Sequence, residues 1–197
     1  LRYQLPTQAS AVEFGEVDSS PFMGVAVATG SEIEIIHGWG RKHNVNAQSR
    51  VERIDLGSNV RALALGFFIW NRAGSKQLAA LLDDGTVRIL QRGELDGRPF
   101  TDAETFVRGQ ARSAQRRTQT DVEAQAGWQA RNAEGWSTAR QFVGGDPAAI
   151  DVAPQNLLMR GSVSFRQTDD LLLPNAKANS LEIVGQIDAR GKGLIQP

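Results

Sequence analysis

Leu78-Ala79-Ala80-Leu81-Leu82-Asp83-Asp84-Gly85-Thr86-Val87-Arg88-Ile89-Leu90 is the stretch that decides the fold class. Five apolar residues run into Asp84-Gly85, and the chain leaves through Val87 and Ile89 with polar Thr86 and Arg88 between them. Asp-Gly between two apolar runs predicts a β-hairpin, here with a type I′ turn that needs positive φ at both central residues. The entering strand is apolar at successive positions, so both of its faces are predicted to be covered. The leaving strand alternates, so one side is predicted to be more open.

Two weaker copies of this unit flank it. Gly24–Gly30 and Ser31–Gly38 form one, with its turn near Thr29-Gly30-Ser31, and Asp169–Pro174 with Leu181–Gly185 form the other. Val25, Leu78 and Leu171 open the first hairpin strand, while Ile33, Val87 and Leu181, then Ile35, Ile89 and Ile183, line the return strand. The step from Val25 to Leu78 is 53 positions and that from Leu78 to Leu171 is 93, about 40 more, which a polar insertion accounts for. A small-residue strand and, before it, an alternating strand precede each hairpin, so each unit has four strands. Repetition of such a unit predicts an all-β chain, a partial β-propeller of about three four-stranded antiparallel blades with a polar insertion.

The boundaries follow from this count. Residues 1–50 are the first blade and a connector, opened by an alternating strand at residues 1–6, and 51–92 are the second blade. Residues 93–122 are the insertion, read as a short helix or a mobile loop. Residues 123–190 are the third blade, with strands around Trp128, at 136–142, at 148–153 and at 157–165, and 191–197 are a frayed tail. Within the insertion, Thr101-Asp102-Ala103-Glu104 has the form of a capping box that starts a helix. Gly109 weakens that helix by about 1 kcal/mol.

Composition narrows the function. Of 197 residues, 22 are Lys or Arg and 22 are Asp or Glu, so a neutral chain has no bulk attraction for nucleic acid or anionic membrane. With no cysteine there is no disulfide, thiol nucleophile or thiolate metal site. The longest near-apolar run, Ala62 to Trp70, is far short of the roughly 20 residues of a membrane-spanning helix. The chain starts at Leu1 without a signal-peptide core, which reads as a piece of something longer. The expected setting is outside the cytoplasm, extracellular, periplasmic or at the surface of a bacterium.

The first copy resembles an FG-GAP or VCBS-type repeat, the blade of integrin-like propellers. Phe14-Gly15-Glu16-Val17-Asp18-Ser19-Ser20 and Gly24-Val25-Ala26-Val27-Ala28 stand where that family has a Phe-Gly-Asp-x-Asp-x-Asp-Gly loop and an Asp-Leu-x-Val strand. Leu65-Gly66-Phe67 with Leu78–Leu81 and Asp84–Val87 matches in the second copy, and Asp170–Leu173 with Leu181–Val184 in the third. The resemblance implies oxygen ligands for calcium at Glu16, Asp18 and Ser20. Pro21 replaces the glycine of the tight turn, and only two carboxylates remain, so a polar surface turn is the favoured reading of the loop. Neither Ile69–Gly74 nor Pro154-Gln155-Asn156 carries a carboxylate.

The remaining candidates for chemistry read mainly as structure. His37 and His43 flank two glycines, so a metal pair is disfavoured against surface or turn histidines. Asp83-Asp84 and Asp169-Asp170 are adjacent carboxylates, and neighbours on a strand point to opposite faces, which favours turn chemistry over acid–base work. Arg108, Arg112 and Arg116 share a face of a helix over 102–117, as a phosphate or acidic-partner site or, preferred, a solvated mixed-charge surface. Trp39, Trp70, Trp128 and Trp136 suit sugar stacking or, preferred, packing between blades.

The expectation is thus a non-catalytic structural or interaction module, with no catalytic, metal or cofactor residues assigned, that binds protein or glycan. The alternatives are a fragment of a propeller-fold lyase or glycosidase, and a calcium-stabilised adhesin blade. Three blades do not close a ring, since propellers use roughly four to eight. The missing blades are expected from the rest of a parent chain, from a protein partner or from self-association.

Overall fold

A computed structural model describes residues 3–17, 23–38, 51–115, 135–144, 147, 157–164, 167–175, 178–187 and 193–196. These are mostly β, in three antiparallel four-stranded sheets, with one helix. The first sheet contains β1 (Ala11–Gly15), β2 (Gly24–Thr29), β3 (Glu32–Ile36) and β4 (Val51–Asp55). The second contains β5 (Val60–Gly66), β6 (Gln77–Leu82), β7 (Thr86–Arg92) and β8 (Trp136–Val143), with helix α1 (Asp102–Gln115) between the last two. The third contains β9 (Met159–Gly161), β10 (Asp170–Asn175), β11 (Ser180–Ile187) and β12 (Gly193–Gln196). Each sheet is a meander in which strands adjacent in sequence are adjacent in space.

The three hairpins share one register. Val25 pairs with Ile36, Leu78 with Leu90 and Leu171 with Val184. One position along, Ala26 pairs with Ile35, Ala79 with Ile89 and Leu172 with Ile183. The first strand of each sheet keeps step, with Phe14 opposite Val25, Leu65 opposite Leu78 and Arg160 opposite Leu171. The sheets stack in chain order, with β1 against β5 and β5 against β9.

The stack has two cores, and the second sheet supplies both. Ala26, Ala28, Ile33 and Ile35 of the first sheet meet Leu63, Leu65, Leu78, Ala80 and Leu90 of the second. From its other face, Ala79, Leu81, Val87 and Ile89 meet Leu171, Leu173 and Val184 of the third. Every residue of β6 is therefore buried, as its unbroken apolar run implies. In β7, Thr86 and Arg88 are partly open while Val87 and Ile89 are buried, as its alternation implies.

Several expectations need correction. Asp84 does not take positive φ. Gly85 does (φ 82°), and the Gly85 N–H donates to the Leu82 carbonyl (3.1 Å), so the connection is a three-residue loop with glycine last instead of a type I′ turn. The first hairpin turns through Gly30 (φ 65°) and Ser31, with Thr29 opposite Glu32. Residues 51–55 do not begin the second sheet: they pair with β3 and close the first. Residues 136–143 pair with β7 and close the second sheet, across the insertion that holds α1. Part of the tail, Gly193–Gln196, pairs with β11 as an edge strand. Residues 3–6 form no strand, the run being cut by Pro6, which has no N–H to donate. The strands expected around Trp128 and at 148–153 lie outside the described residues.

Candidate functional site

Loops at one end of the stack enclose a cleft of about 770 Å³, lined by Phe67, Trp70, Gly74, Phe100, Arg108 and Gln167, among others. In a meander, the connections β5–β6, β7–β8 and β9–β10 leave their sheets at the same end, and the cleft takes residues from all three. A volume in the range of 300–1,000 Å³ is that of an ordinary ligand site.

Hydrogen bonds hold the β5–β6 wall. The Asn71 amide donates to the carbonyls of Ile69 (3.2 Å) and Ser75 (3.0 Å) and accepts from the Ser75 N–H (3.0 Å). Gln77 accepts from the Ile69 N–H (2.9 Å) and donates to the Ser75 carbonyl (2.6 Å). Both side chains are buried, so these backbone groups have no better partner. Trp70 is left half-buried, edge-on to Phe100, with ring centres 5.8 Å apart at 74°.

Helix α1 forms the facing wall and starts as its sequence implies. The Thr101 N–H donates to Glu104 Oε2 (2.8 Å) and the Glu104 N–H to Thr101 Oγ1 (3.4 Å), the two halves of a capping box. Arg72 reaches from the opposite wall to the Glu104 carboxylate and to the Pro99 carbonyl (3.2 Å). The Thr101 donors and Arg72 together hold the Glu104 carboxyl below its usual range. The guanidiniums of Arg72 and Arg108 lie over the Phe100 ring, 4.4 and 4.1 Å from its centre, and Arg108 donates to the Arg72 carbonyl (2.7 Å). Among the described residues the cleft thus offers aromatic surface, a guanidinium and amides, with no carboxylate in its lining. Such a set is chemically suited to a ring bearing a polar or anionic substituent.

The sequence matches no known family model and no curated protein.

Among the residues singled out from sequence, Trp70 and Arg108 come together in this cleft. Arg116 lies outside the described residues, as do Trp39, Trp128, His43, Asp18 and Ser20, and the Arg112 side chain is not described. Glu16 of the proposed calcium loop is an ion-pair partner of Lys76 (Oε2–Nζ 2.9 Å). Among the described residues no group of three or more His, Asp or Glu side chains is placed to hold a metal ion.

The carboxylate pairs brace loops. Asp83 accepts from the Asn59 amide (2.9 Å) and Asp84 from the Thr86 N–H (2.8 Å). Asp169 accepts from the Phe67 N–H (2.8 Å) and so ties the third sheet to the second. Asp170 is fully buried and accepts from the N–H groups of Val163 (2.7 Å) and Ser164 (2.8 Å) and from the Ser164 hydroxyl (2.6 Å).

His37 belongs to a second polar cluster, between the first and second sheets. Its Nε2 lies 3.1 Å from Glu52 Oε1, the Glu52 carboxylate also takes the Arg92 guanidinium, and Trp136 Nε1–H donates to Glu52 Oε2 (2.7 Å). Burial pushes the Glu52 carboxyl up, but His37, the Arg92 charge and the Trp136 donor outweigh it, and the net shift is down. Trp136 packs against the core between those sheets.

Sequence reasoning missed Phe67, Phe100 and Gln167, which sit on three connections and form no local pattern. The capping box was the usable signal, because it places Phe100 immediately before the helix.

Proposed function

We propose that the chain is a run of three β-propeller-type blades of the FG-GAP/VCBS kind. It acts as a non-catalytic binding module, one piece of a larger exported bacterial protein, with the aromatic cleft on its rim taking a glycan. The observation that carries this reading is the equivalence of the two sheet contacts. Ala26, Ala28, Ile33 and Ile35 occupy the register positions of Ala79, Leu81, Val87 and Ile89, and both sets face the next sheet along the chain. Leu78, Ala80 and Leu90 occupy those of Leu171, Leu173 and Val184, and both face the sheet before. Polar contacts repeat as well. Glu16 meets Lys76 across the first contact, and the equivalent Phe67 and Asp169 meet across the second. The same contact between successive sheets, with their first strands in touch, supports the propeller reading.

A rigid stack with loops gathered at one end is a usual support for a binding site. Aromatic faces beside a guanidinium suit a sugar ring, best one bearing an acidic group. Titration with neutral and uronic-acid oligosaccharides, followed by tryptophan fluorescence, tests the assignment. Saturable quenching is expected, weakened about 30-fold or more in Trp70→Ala. Absence of binding by both sugar classes, or equal binding by Trp70→Ala, would refute the glycan assignment.

A further inference from the structure

The polar groups around the cleft are not equally free to meet a ligand. The Asn71 amide is engaged by the carbonyls of Ile69 and Ser75 and by the Ser75 N–H. The Thr105 hydroxyl donates to the Thr101 carbonyl (3.0 Å). Arg72 is held from several sides. Its Nη2 meets the Glu104 carboxylate, its Nη1 donates to the Pro99 carbonyl (3.2 Å), and its Nε lies 3.8 Å from Asp96 Oδ2. Its charge is therefore compensated, and its side chain does not line the cleft. Arg108 differs. It lines the cleft from the second turn of α1, with its guanidinium over Phe100 and one N–H of Nη1 on the Arg72 carbonyl. Glu104, one turn earlier on the same helix, is taken by Arg72 and Thr101. Among the described residues no carboxylate pairs with Arg108.

We propose that Arg108 is the specificity-determining residue of the cleft, pairing with the carboxylate of a uronic-acid unit whose ring lies against Trp70, and so selecting an acidic glycan over a neutral one. This rests on the glycan reading. A guanidinium stays charged, and its remaining N–H donors form a planar fork that fits a carboxylate. With Arg72 neutralised by Glu104, the lining carries one uncompensated positive charge. One carboxylate matches it, whereas a phosphate monoester brings about −1.5 to −2. Gln167, also in the lining, is left to meet sugar hydroxyls.

A galacturonic-acid trisaccharide and its methyl ester have the same rings and differ in charge, so the pair isolates the contribution of the carboxylates. Titration of both, read by tryptophan fluorescence, is expected to show the wild-type chain binding the acid about 10-fold or more tightly than the ester. Arg108→Gln is expected to weaken the acid about 10-fold or more and the ester by no more than about threefold, which removes the preference. Arg108→Lys, which keeps the charge without the fork, is expected to restore part of it. Raising salt from about 50 mM to about 500 mM is expected to weaken the acid and spare the ester in the wild-type chain. That series and Arg108→Lys decide the matter if Arg108→Gln does not fold. Equal weakening of acid and ester in the Arg108 variants would mean that this side chain only supports the wall, and an undiminished preference would mean that another cation selects. Either result overturns the proposal, as does a salt response shared by acid and ester. If the wild-type chain binds acid and ester equally, the glycan reading stands and only the role of Arg108 fails. If it binds neither, the glycan reading fails with it.

Discussion

Replacing Glu52 by alanine removes one acceptor from three donors in the seam between the first and second sheets. Trp136 Nε1–H loses its 2.7 Å partner, His37 its neighbour at 3.1 Å, and Arg92, whose side chain is only 9% exposed, its counter-ion. An unmet buried donor costs about 1–3 kcal/mol and a buried charge deprived of its partner about 3–5. Glu52 is itself 24% exposed, so water reaches part of the site and the expected loss is about 3 kcal/mol. For a chain of this size that lowers the melting temperature by about 10 °C. Glu52→Gln keeps one acceptor and is expected to lose about half as much. Because the folded-state pKa of Glu52 is depressed, its contribution is present above the unfolded value, about 4.3, and is lost as pH falls through the folded one. Urea unfolding at pH 7 and pH 3 reads both effects: the gap between wild type and Glu52→Gln should narrow in acid. A loss under about 1 kcal/mol for Glu52→Ala at pH 7 would show that the cluster does not hold the seam.

Other perturbations follow from the same contacts. A Cβ at Gly24 would sit 2.4 Å from Val17 Cγ2 and 2.9 Å from the Ile36 carbonyl oxygen, which is backbone, so Gly24→Ala should cost about 2–3 kcal/mol by thermal unfolding. Asp170→Ala strands the N–H groups of Val163 and Ser164 and should cost about 3 kcal/mol in urea unfolding. Thr101→Ala should cost about 1 kcal/mol of helix stability by circular dichroism. The depressed carboxyl of Glu104 makes that cap weaken in acid, so the difference should shrink as pH falls through its folded-state pKa.

The hairpins are readable because each is local: an apolar run, a turn and an alternating return lie within about fifteen residues. That locality lets Ile35, Ile89 and Ile183 be superposed from sequence alone, and the register places them at one position. Sheet membership was not readable in the same way. Val51–Asp55 alternates clearly as a strand, but nothing in its residues says whether it closes the sheet before it or opens the one after. Pairing with Ile36 at one end of β3 decides that, and the units were therefore cut one strand too early. Trp136–Val143 was misassigned for a related reason, because the insertion with α1 separates it from its partner strand β7. Helix α1 announced its start through a capping box, whose two halves are both local. The cleft did not, since Phe67, Phe100 and Gln167 meet only because three connections leave the sheets at the same end.

The central claim, that one sheet is repeated and stacked by the same contact each time, is tested most directly by alanine at equivalent positions in the two cores. Ile35 and Ile89 are both fully buried, each on the face that meets the next sheet. Ile35→Ala and Ile89→Ala should each lose about 4 kcal/mol in urea unfolding and agree within about 1 kcal/mol. A large loss at one position with a loss below about 1 kcal/mol at the other would contradict equivalent stacking.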